Sequence, residues 1–218
     1  MRLFKQQRKL SLNWRYIVGE VLLIFLGITL AIWFNNWNTA SRINTEKESA
    51  MVRIKEEVQN NLDQLVEAQR KNQAVRWALQ DLFRDNGTLT LFPSGMKELQ
   101  KKHPGFAQIR DSTAAEDGKY RYAINAQINL EFPELTQIAW ETTQTIGVAK
   151  EFDYNCLYEI ERAYNLQRSF LQEMDKAAEA MQRQEINQLI AILGFSSDFG
   201  IALEKYYQNV LNIIDDCR

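Results

Sequence analysis

The longest apolar stretch of the chain covers residues 16–34 and reads YIVGEVLLIFLGITLAIWF, with Glu20 as its single charged residue. At about 1.5 Å per residue, a helix of this length spans roughly 28 Å, which matches the hydrocarbon core of a bilayer. A buried helix of a soluble protein is the alternative interpretation. The flanking residues favour a transmembrane helix over residues 16–34.

Aromatic and basic residues flank this stretch as they flank membrane spans. The rings expected at the two membrane interfaces are Trp14, Tyr16, Trp33 and Trp37. Residues 1–15 carry five basic side chains and no acidic one, which predicts a cytoplasmic tail with the rest of the chain across the membrane. A cleaved signal peptide is disfavoured, because its apolar region spans only about 7–15 residues and Asn38-Thr39-Ala40 lacks a small-x-small cleavage pattern.

A second pattern, with apolar residues spaced as in a heptad repeat, covers residues 45–84. One seam position holds Met51, Val58, Leu65, Asn72 and Leu79, and the other holds Ile54, Asn61, Ala68, Val75 and Leu82. Eight of these ten residues are apolar, which predicts either a coiled coil or an amphipathic helix that packs against later helices of the same chain. The two asparagines are of the kind that fixes register at such a seam.

Turn residues divide the remaining sequence into shorter elements. The first helix is predicted to end at Asp85-Asn86-Gly87, and a short helix follows over residues 94–102. Alternating apolar residues predict a hairpin of strands within residues 106–110 and 120–132. Further helices are predicted over residues 134–146 after Pro133, over 153–193 with Asp153 as cap and Gly194 as stop, and from Ser197 or Asp198 to Asp216.

The predicted fold class is therefore mainly α. The transmembrane helix continues into an elongated antiparallel helical bundle with a small β-hairpin. The predicted organisation is a basic cytoplasmic tail over residues 1–15, the transmembrane helix over 16–34, a juxtamembrane connector over 35–44 and one periplasmic helical domain over 45–218.

The distribution of charge argues against nucleic acid as a partner. Five of the 26 basic residues lie in the tail and one of the 28 acidic residues lies in the span, which leaves a net charge of about −6 for residues 35–218. A domain of this sign repels phosphate. The basic tail is better explained as a topology signal than as a lipid head-group site.

Glu20 is the clearest candidate for chemistry, because a carboxylate inside a span is costly unless it is neutral, paired or near an interface. Glu20, Gly27 and Ala31 can share one helix face, and the small residues at positions 27 and 31 allow a second helix to approach closely. A helix-contact role is the leading hypothesis. The alternatives are a side chain that reaches to the interface and an ion-coupling carboxylate like that of the stator subunits of ion-driven motors.

The other candidate residues are few. Cys156 and Cys217 could form a disulfide in an oxidising compartment, remain free or pair between chains, and the sequence does not decide among these. His103, the single histidine, is predicted to be a solvated loop residue. Trp140 and Glu141, with Tyr154, Tyr158, Tyr164, Tyr206 and Tyr207, could line a ligand pocket, although helix packing is the favoured role. No catalytic, metal-binding or cofactor-binding motif is recognised.

Two blocks of sequence resemble a family of uncharacterised bacterial membrane proteins that is common in Bacteroidetes. The first block, YIVGEVLLIFLGITLAIWFNNWN, is similar to the family signature YxxGExxLxxxGIxLAxxxNNWN. The second block, IAWETTQTIGVAKEFDYNCLYEIERAYNLQ, is similar through Ala139, Trp140, Glu141, Gly147, Tyr164, Leu166 and Gln167. The resemblance implies an anchor in a bacterial inner membrane, its orientation and a helical periplasmic domain, and it implies no activity.

These observations lead to a functional expectation. The chain is expected to be a non-enzymatic structural or interaction protein of the inner membrane, either a homo-oligomeric scaffold or an accessory subunit of a membrane complex. The expected partners are the lipid bilayer and other copies or other membrane subunits, with no cofactor and no nucleic acid. The alternatives are a ligand-sensing module that acts through a partner, for which no ligand is indicated, and an ion-coupled subunit that uses Glu20.

Overall fold

The computed structural model describes residues 14–83 and 88–217, with helices as the dominant elements. Its contacts divide the chain into two units, Met1–Glu46 and Lys47–Arg218, which are described separately. Helix α1, Trp14–Leu82, begins in the first unit and ends in the second. In the first unit most of its apolar side chains are exposed, and Thr29 Oγ1 donates a hydrogen bond to the backbone oxygen of Phe25 at 2.8 Å.

The second unit contains the remaining elements. They are β1 Thr88–Leu91, α2 Pro93–Lys102, β2 Ala107–Ala114, β3 Tyr120–Ala126, α3 Ile138–Thr145, α4 Tyr154–Gln182 and α5 Ile186–Ile213. The predicted mainly α class is confirmed. The N-terminus of α4 is capped as predicted, because the Asp153 carboxylate accepts a hydrogen bond from the backbone N–H of Asn155 at 2.9 Å.

The core of the second unit lies between α4, α5 and the part of α1 that follows Lys47. The seam of α1 faces this core, and Ile54, Val58, Leu65 and Leu79 are completely buried, while Met51 is only partly buried. Of the two interpretations of the heptad pattern, the helix that packs against its own chain is therefore the one observed. Contacts across the core show that α1 runs parallel to α4 and antiparallel to α5.

The strands form a three-stranded antiparallel sheet in the order β1-β3-β2, so the predicted hairpin is present but incomplete. Strand β1 was not predicted, and β2 continues to Ala114, four residues beyond the prediction. Strand β3 ends at Ala126, although the alternating pattern continues to Phe132. Leu82, Leu89, Met96 and Tyr122 form a small cluster of buried side chains between the sheet, α2 and the end of α1.

Three predicted boundaries are wrong. Helix α3 begins at Ile138, since Pro133 lies in an extended segment rather than at a helix start. The helix predicted over 153–193 is interrupted after Gln182 by a short turn in which Gln184 adopts a φ of 59°. Helix α5 begins at Ile186, so Gly194 and the predicted helix start at Ser197 or Asp198 lie inside it. Glycine suits position 194 because a Cβ there would come within 2.8 Å of Arg76 Nη2. The predicted stop at Asp85-Asn86-Gly87 lies outside the described residues.

Candidate functional site

Two of the described helices are long and apolar enough to cross a membrane. One is α1, whose apolar window near the N-terminus contains no buried residue. The other covers Ile186–Asp216, and a third of its window (33%) is buried, with Leu189, Leu203 and Val210 completely enclosed in the core. Such burial is typical of the core helix of a folded domain, so α1 is the stronger candidate for a span.

Some residues are predicted to anchor the span at the membrane interfaces, and others to contact a neighbouring helix. All of them lie on the exposed N-terminal part of α1. Trp14, Tyr16, Trp33 and Trp37 are each at least 59% exposed, and the rings of Phe34 and Trp37 lie 6.0 Å apart. At 100° per residue, Glu20, Gly27 and Ala31 fall within about 40° of one another around the helix axis. A Cβ added at Gly27 would meet no atom within 4 Å, so this face is open within the first unit.

In the second unit, polar side chains of α1 hold the extended residues 127–137, which we call the strap. Asn61 Nδ2 donates to the Thr136 carbonyl at 2.7 Å, and the Thr136 N–H donates to Asn61 Oδ1 at 3.0 Å. Asn72 makes the same pair of bonds with Glu131, both at 2.8 Å. Each side-chain amide thus takes the place that a neighbouring strand would occupy in a sheet.

The spacing of these two clamps follows from helix and strand geometry. Eleven residues separate Asn61 from Asn72, which at about 1.5 Å per residue is roughly 16.5 Å along α1. Five residues separate Glu131 from Thr136, which at about 3.3 Å per residue is also roughly 16.5 Å. The strap therefore runs antiparallel to α1 in a register fixed at both ends, and Gln64 accepts the Glu134 N–H between them at 3.0 Å.

The Glu57 carboxylate accepts three hydrogen bonds at the end of the strap. Its Oε2 accepts the backbone N–H of Ala139 at 3.0 Å and the Thr136 hydroxyl at 3.1 Å, and its Oε1 accepts the Tyr164 hydroxyl at 2.6 Å. Since Gln137 makes no side-chain cap of its own, this carboxylate from α1 supplies the cap of α3. Glu57 was not singled out from the sequence, because it lies between seam positions.

A second buried network crosses the core beside Glu57. Tyr207 donates its hydroxyl to Gln167 Oε1 at 2.7 Å, and Asn61 Nδ2 lies 3.3 Å from the same oxygen. Gln167 Nε2 in turn donates to the carbonyls of Leu135 and Thr136, both at 3.2 Å. The network joins α1, α4, α5 and the strap through side chains that are almost completely buried.

The two tyrosines of these networks are held neutral. Burial raises the pKa of Tyr164 far above its ordinary value, and the hydrogen bond to the Glu57 carboxylate raises it further. Burial likewise raises the pKa of Tyr207. Both hydroxyls therefore act as hydrogen-bond donors at physiological pH, and their observed partners are groups of the protein itself. This arrangement stabilises the fold.

The predicted aromatic cluster divides into packing and surface residues. Trp140 is 2% exposed and stacks on Tyr164, with ring centroids 6.2 Å apart and planes 3° from parallel. Tyr154 and Tyr158 are instead exposed on α4. The structure therefore does not bring the tyrosines and Trp140 around one pocket, and the preference for helix packing is confirmed for Trp140, Tyr164 and Tyr207.

The prediction that His103 is solvated is wrong. Its side chain is 10% exposed, and Nε2 lies 2.8 Å from Asp81 Oδ2. Lys102 Nζ donates to the same oxygen at 2.7 Å. The hydrogen bond from Lys102, and then that from His103, lowers the pKa of the Asp81 carboxyl. These groups border an open groove beside Trp77, and they tie the C-terminus of α2 to α1.

The structure also resolves the alternatives for the cysteines. Cys156, in the first turn of α4, and Cys217, beyond α5, form a disulfide, and their Cα atoms lie 5.7 Å apart. Both residues are buried at one end of the core. Within the described part of the chain, no group of three histidine, cysteine, aspartate or glutamate side chains is placed to hold a metal ion.

The second block of the family resemblance acquires a structural explanation. Trp140 stacks on Tyr164, Gln167 donates to the Thr136 carbonyl of the strap, and Gly147 follows α3 with a φ of 75°, which suits glycine. Comparison of the chain with protein-family models, with curated proteins and with solved structures finds no match. The resemblance to the bacterial membrane family stays a prediction.

Proposed function

We propose that the chain is a non-enzymatic interaction protein of a bacterial inner membrane, which acts as a homo-oligomeric scaffold or as an accessory subunit of a membrane complex. The observation that carries this proposal is the apolar window of α1, which has no buried residue in the structure. A surface of this length and hydrophobicity is stable only when lipid or other apolar helices cover it.

The proposed orientation places residues 1–15 in the cytoplasm and residues 45–218 in the periplasm. The five basic residues of the tail support it, since the cytoplasmic side of a span is enriched in lysine and arginine. The Cys156–Cys217 disulfide supports it independently, because such bonds persist in the periplasm and are rare in the cytosol. Two unrelated features thus favour the same topology.

The proposed contact surface is the face of α1 that bears Glu20, Gly27 and Ala31. The absence of side-chain bulk at Gly27 and Ala31 allows a second helix to approach closely, and van der Waals contact is the main attraction between helices in lipid. A carboxylate on the same face is stabilised if a basic or hydroxyl group of the neighbouring helix pairs with it. Such a face joins copies of the chain or attaches the chain to another subunit.

The second unit supports an interaction role in a different way. Three buried polar side chains, Asn61, Gln167 and Tyr207, are bonded to one another, and the partly buried Glu57 is bonded to the strap. Their geometry fixes the position of the strap and α3 on α1. A domain in which these side chains hold its own elements together is suited to presenting a fixed surface to partners.

The proposal is tested on the full chain, extracted from its native membrane into lipid particles and weighed by native mass spectrometry. We expect a mass of two or more copies, or of one copy with another membrane protein. The variant with Gly27→Leu and Ala31→Leu should release monomers. Thr29→Leu, a small-to-large change on the opposite face of the same helix, should leave the assembly intact. A wild-type chain that is extracted alone as a monomer would contradict the proposal.

A further inference from the structure

A small cavity lies in the second unit between α1, α4 and α5. Its volume, measured as the space in which the centre of a water molecule can lie, is about 20 Å³. The apolar side of its lining is formed by Phe170, Met174 and Leu193, and polar groups of α1 and α5 complete it. A cavity needs roughly 10–15 Å³ by this measure to hold one water molecule, so this one has room for one.

Two buried polar atoms on this lining have no hydrogen-bond partner among the described residues. They are the amide nitrogen Nε2 of Gln69 on α1 and the hydroxyl oxygen of Ser196 on α5, a residue that is 4% exposed. Leaving such a group unsatisfied in a protein interior is unfavourable, because it has lost its hydrogen bonds to water. Because native folds avoid this cost, the two atoms point to a polar ligand that the cavity can contain.

Packing against α5 fixes the Gln69 amide beside this cavity. A Cβ added at Gly200 would collide with Nε2 and Cδ of Gln69, so the amide lies directly against the backbone of α5 at this glycine. Ser196 lies one helical turn before Gly200 on the same face of α5. The glycine thus allows the amide of Gln69 to reach the part of the cavity that Ser196 lines.

We propose that this cavity is a binding site for one ordered water molecule, which bridges Gln69 Nε2 and Ser196 Oγ. The water accepts a hydrogen bond from the Gln69 amide and exchanges a second one with the Ser196 hydroxyl. Gln73 and Ser197, which also line the cavity, are available as further partners. A cation is disfavoured because no carboxylate lines the cavity.

This water site gives α1 and α5 a second polar connection, in addition to the network of Asn61, Gln167 and Tyr207. At Val58 and Leu65 the core is closed by apolar side chains, whereas at Gln69 the two helices meet through a hydrated polar bridge. Substitutions that remove one polar partner should therefore be costly, while removal of both should cost little more than removal of one.

A double-mutant cycle on the full chain in lipid nanodiscs tests the bridge. Ser196→Ala should lower the Tm by about 3 °C in the natural sequence but by less than about 1 °C in the Gln69→Leu background, because the bridge is already lost there. Ser169→Ala, which changes a partly buried serine of α4 outside the cavity lining, should shift the Tm by less than about 1 °C in both backgrounds. Equal effects of Ser196→Ala in the two backgrounds would overturn the proposal.

A direct observation complements the cycle. In the full chain labelled with ¹⁵N at glutamine side chains, the Gln69 amide protons should show a cross-relaxation peak with water that disappears in Ser196→Ala. The exposed amide of Gln59 provides the reference for water that is not held in a site. A Gln69 amide without a water peak, or a peak unchanged by Ser196→Ala, would overturn the proposal.

Discussion

Asn61 and Thr136, 75 residues apart in the sequence, exchange two hydrogen bonds as if they were neighbours in a sheet. The side chain of Asn61 is completely buried, so water cannot replace it as a partner. Gln167 also donates to the Thr136 carbonyl, which leaves the Thr136 N–H as the group that depends on Asn61 alone among the hydrogen bonds observed there. This clamp fixes the position of the strap on α1.

We therefore expect Asn61→Leu to lower the free energy of unfolding by about 2–3 kcal/mol, although the two side chains have similar size. The cost arises because the Thr136 N–H and an oxygen of Gln167 lose a buried partner. Chemical denaturation of the full chain in micelles, followed by circular dichroism, measures it. Asn60→Leu, at the exposed neighbouring position, should change the value by less than about 0.5 kcal/mol. Equal stability of Asn61→Leu and wild type would show that the clamp is dispensable.

The Glu57 carboxylate leads to a graded prediction. Glu57→Gln keeps an oxygen that can accept from Ala139 and Thr136, so it should cost about 1 kcal/mol through loss of charge. Glu57→Leu removes the partner of all three donors and should cost about 3 kcal/mol. The same denaturation experiment measures both. Glu56→Gln is the matched control at an exposed position, and a leucine variant no less stable than the glutamine variant would refute the role as a cap.

Asp81 leads to a prediction of pH dependence. Its pKa in the folded protein is lowered by Lys102 and His103, so the carboxylate contributes stability above its ordinary pKa of about 4, and this contribution is lost as the pH falls through the folded-state pKa. Asp81→Asn should cost about 1 kcal/mol at pH 7, and the difference from wild type should shrink towards zero as the pH falls below about 4. Thermal unfolding of both proteins between pH 2 and pH 7 measures this. A difference that stays constant over this range would contradict the ion-pair explanation.

The periodic parts of the fold could be predicted from the sequence because periodicity reports burial. The seam of α1 and the apolar window at residues 16–34 were both recognised in this way. The strap shows that periodicity does not identify the partner of a buried segment. Alternation over residues 120–132 predicted a strand, and Ile124, Ile128 and Leu130 are indeed partly buried, but beyond Ala126 the partner is a row of side-chain amides. Burial alternates with period two in any half-buried extended chain.

Other features depended on contacts that no local pattern reveals. The turn between α4 and α5 contains no glycine or proline, so the sequence around Gln184 favours a continuous helix and the packing of α5 on α4 decides the break. Gly194 is predicted to end a helix, whereas it lies inside α5 with Gly200, and the two glycines provide room for Arg76 and Gln69. Asn61 and Asn72 were recognised as unusual seam residues, but their backbone partners lie 59 to 75 residues further along the chain.

We propose above all that α1 anchors the chain in the membrane and that residues 45–218 fold on its oxidising, periplasmic side. The Cys156–Cys217 disulfide reports the compartment directly, since its oxidation state differs between periplasm and cytosol. The most direct measurement is acid quenching of intact bacteria that produce the full chain, followed by alkylation of free thiols and mass analysis. We predict that neither cysteine is alkylated in the full chain, and that both are alkylated when residues 1–34 are deleted. Two free thiols in the full chain would contradict the claim.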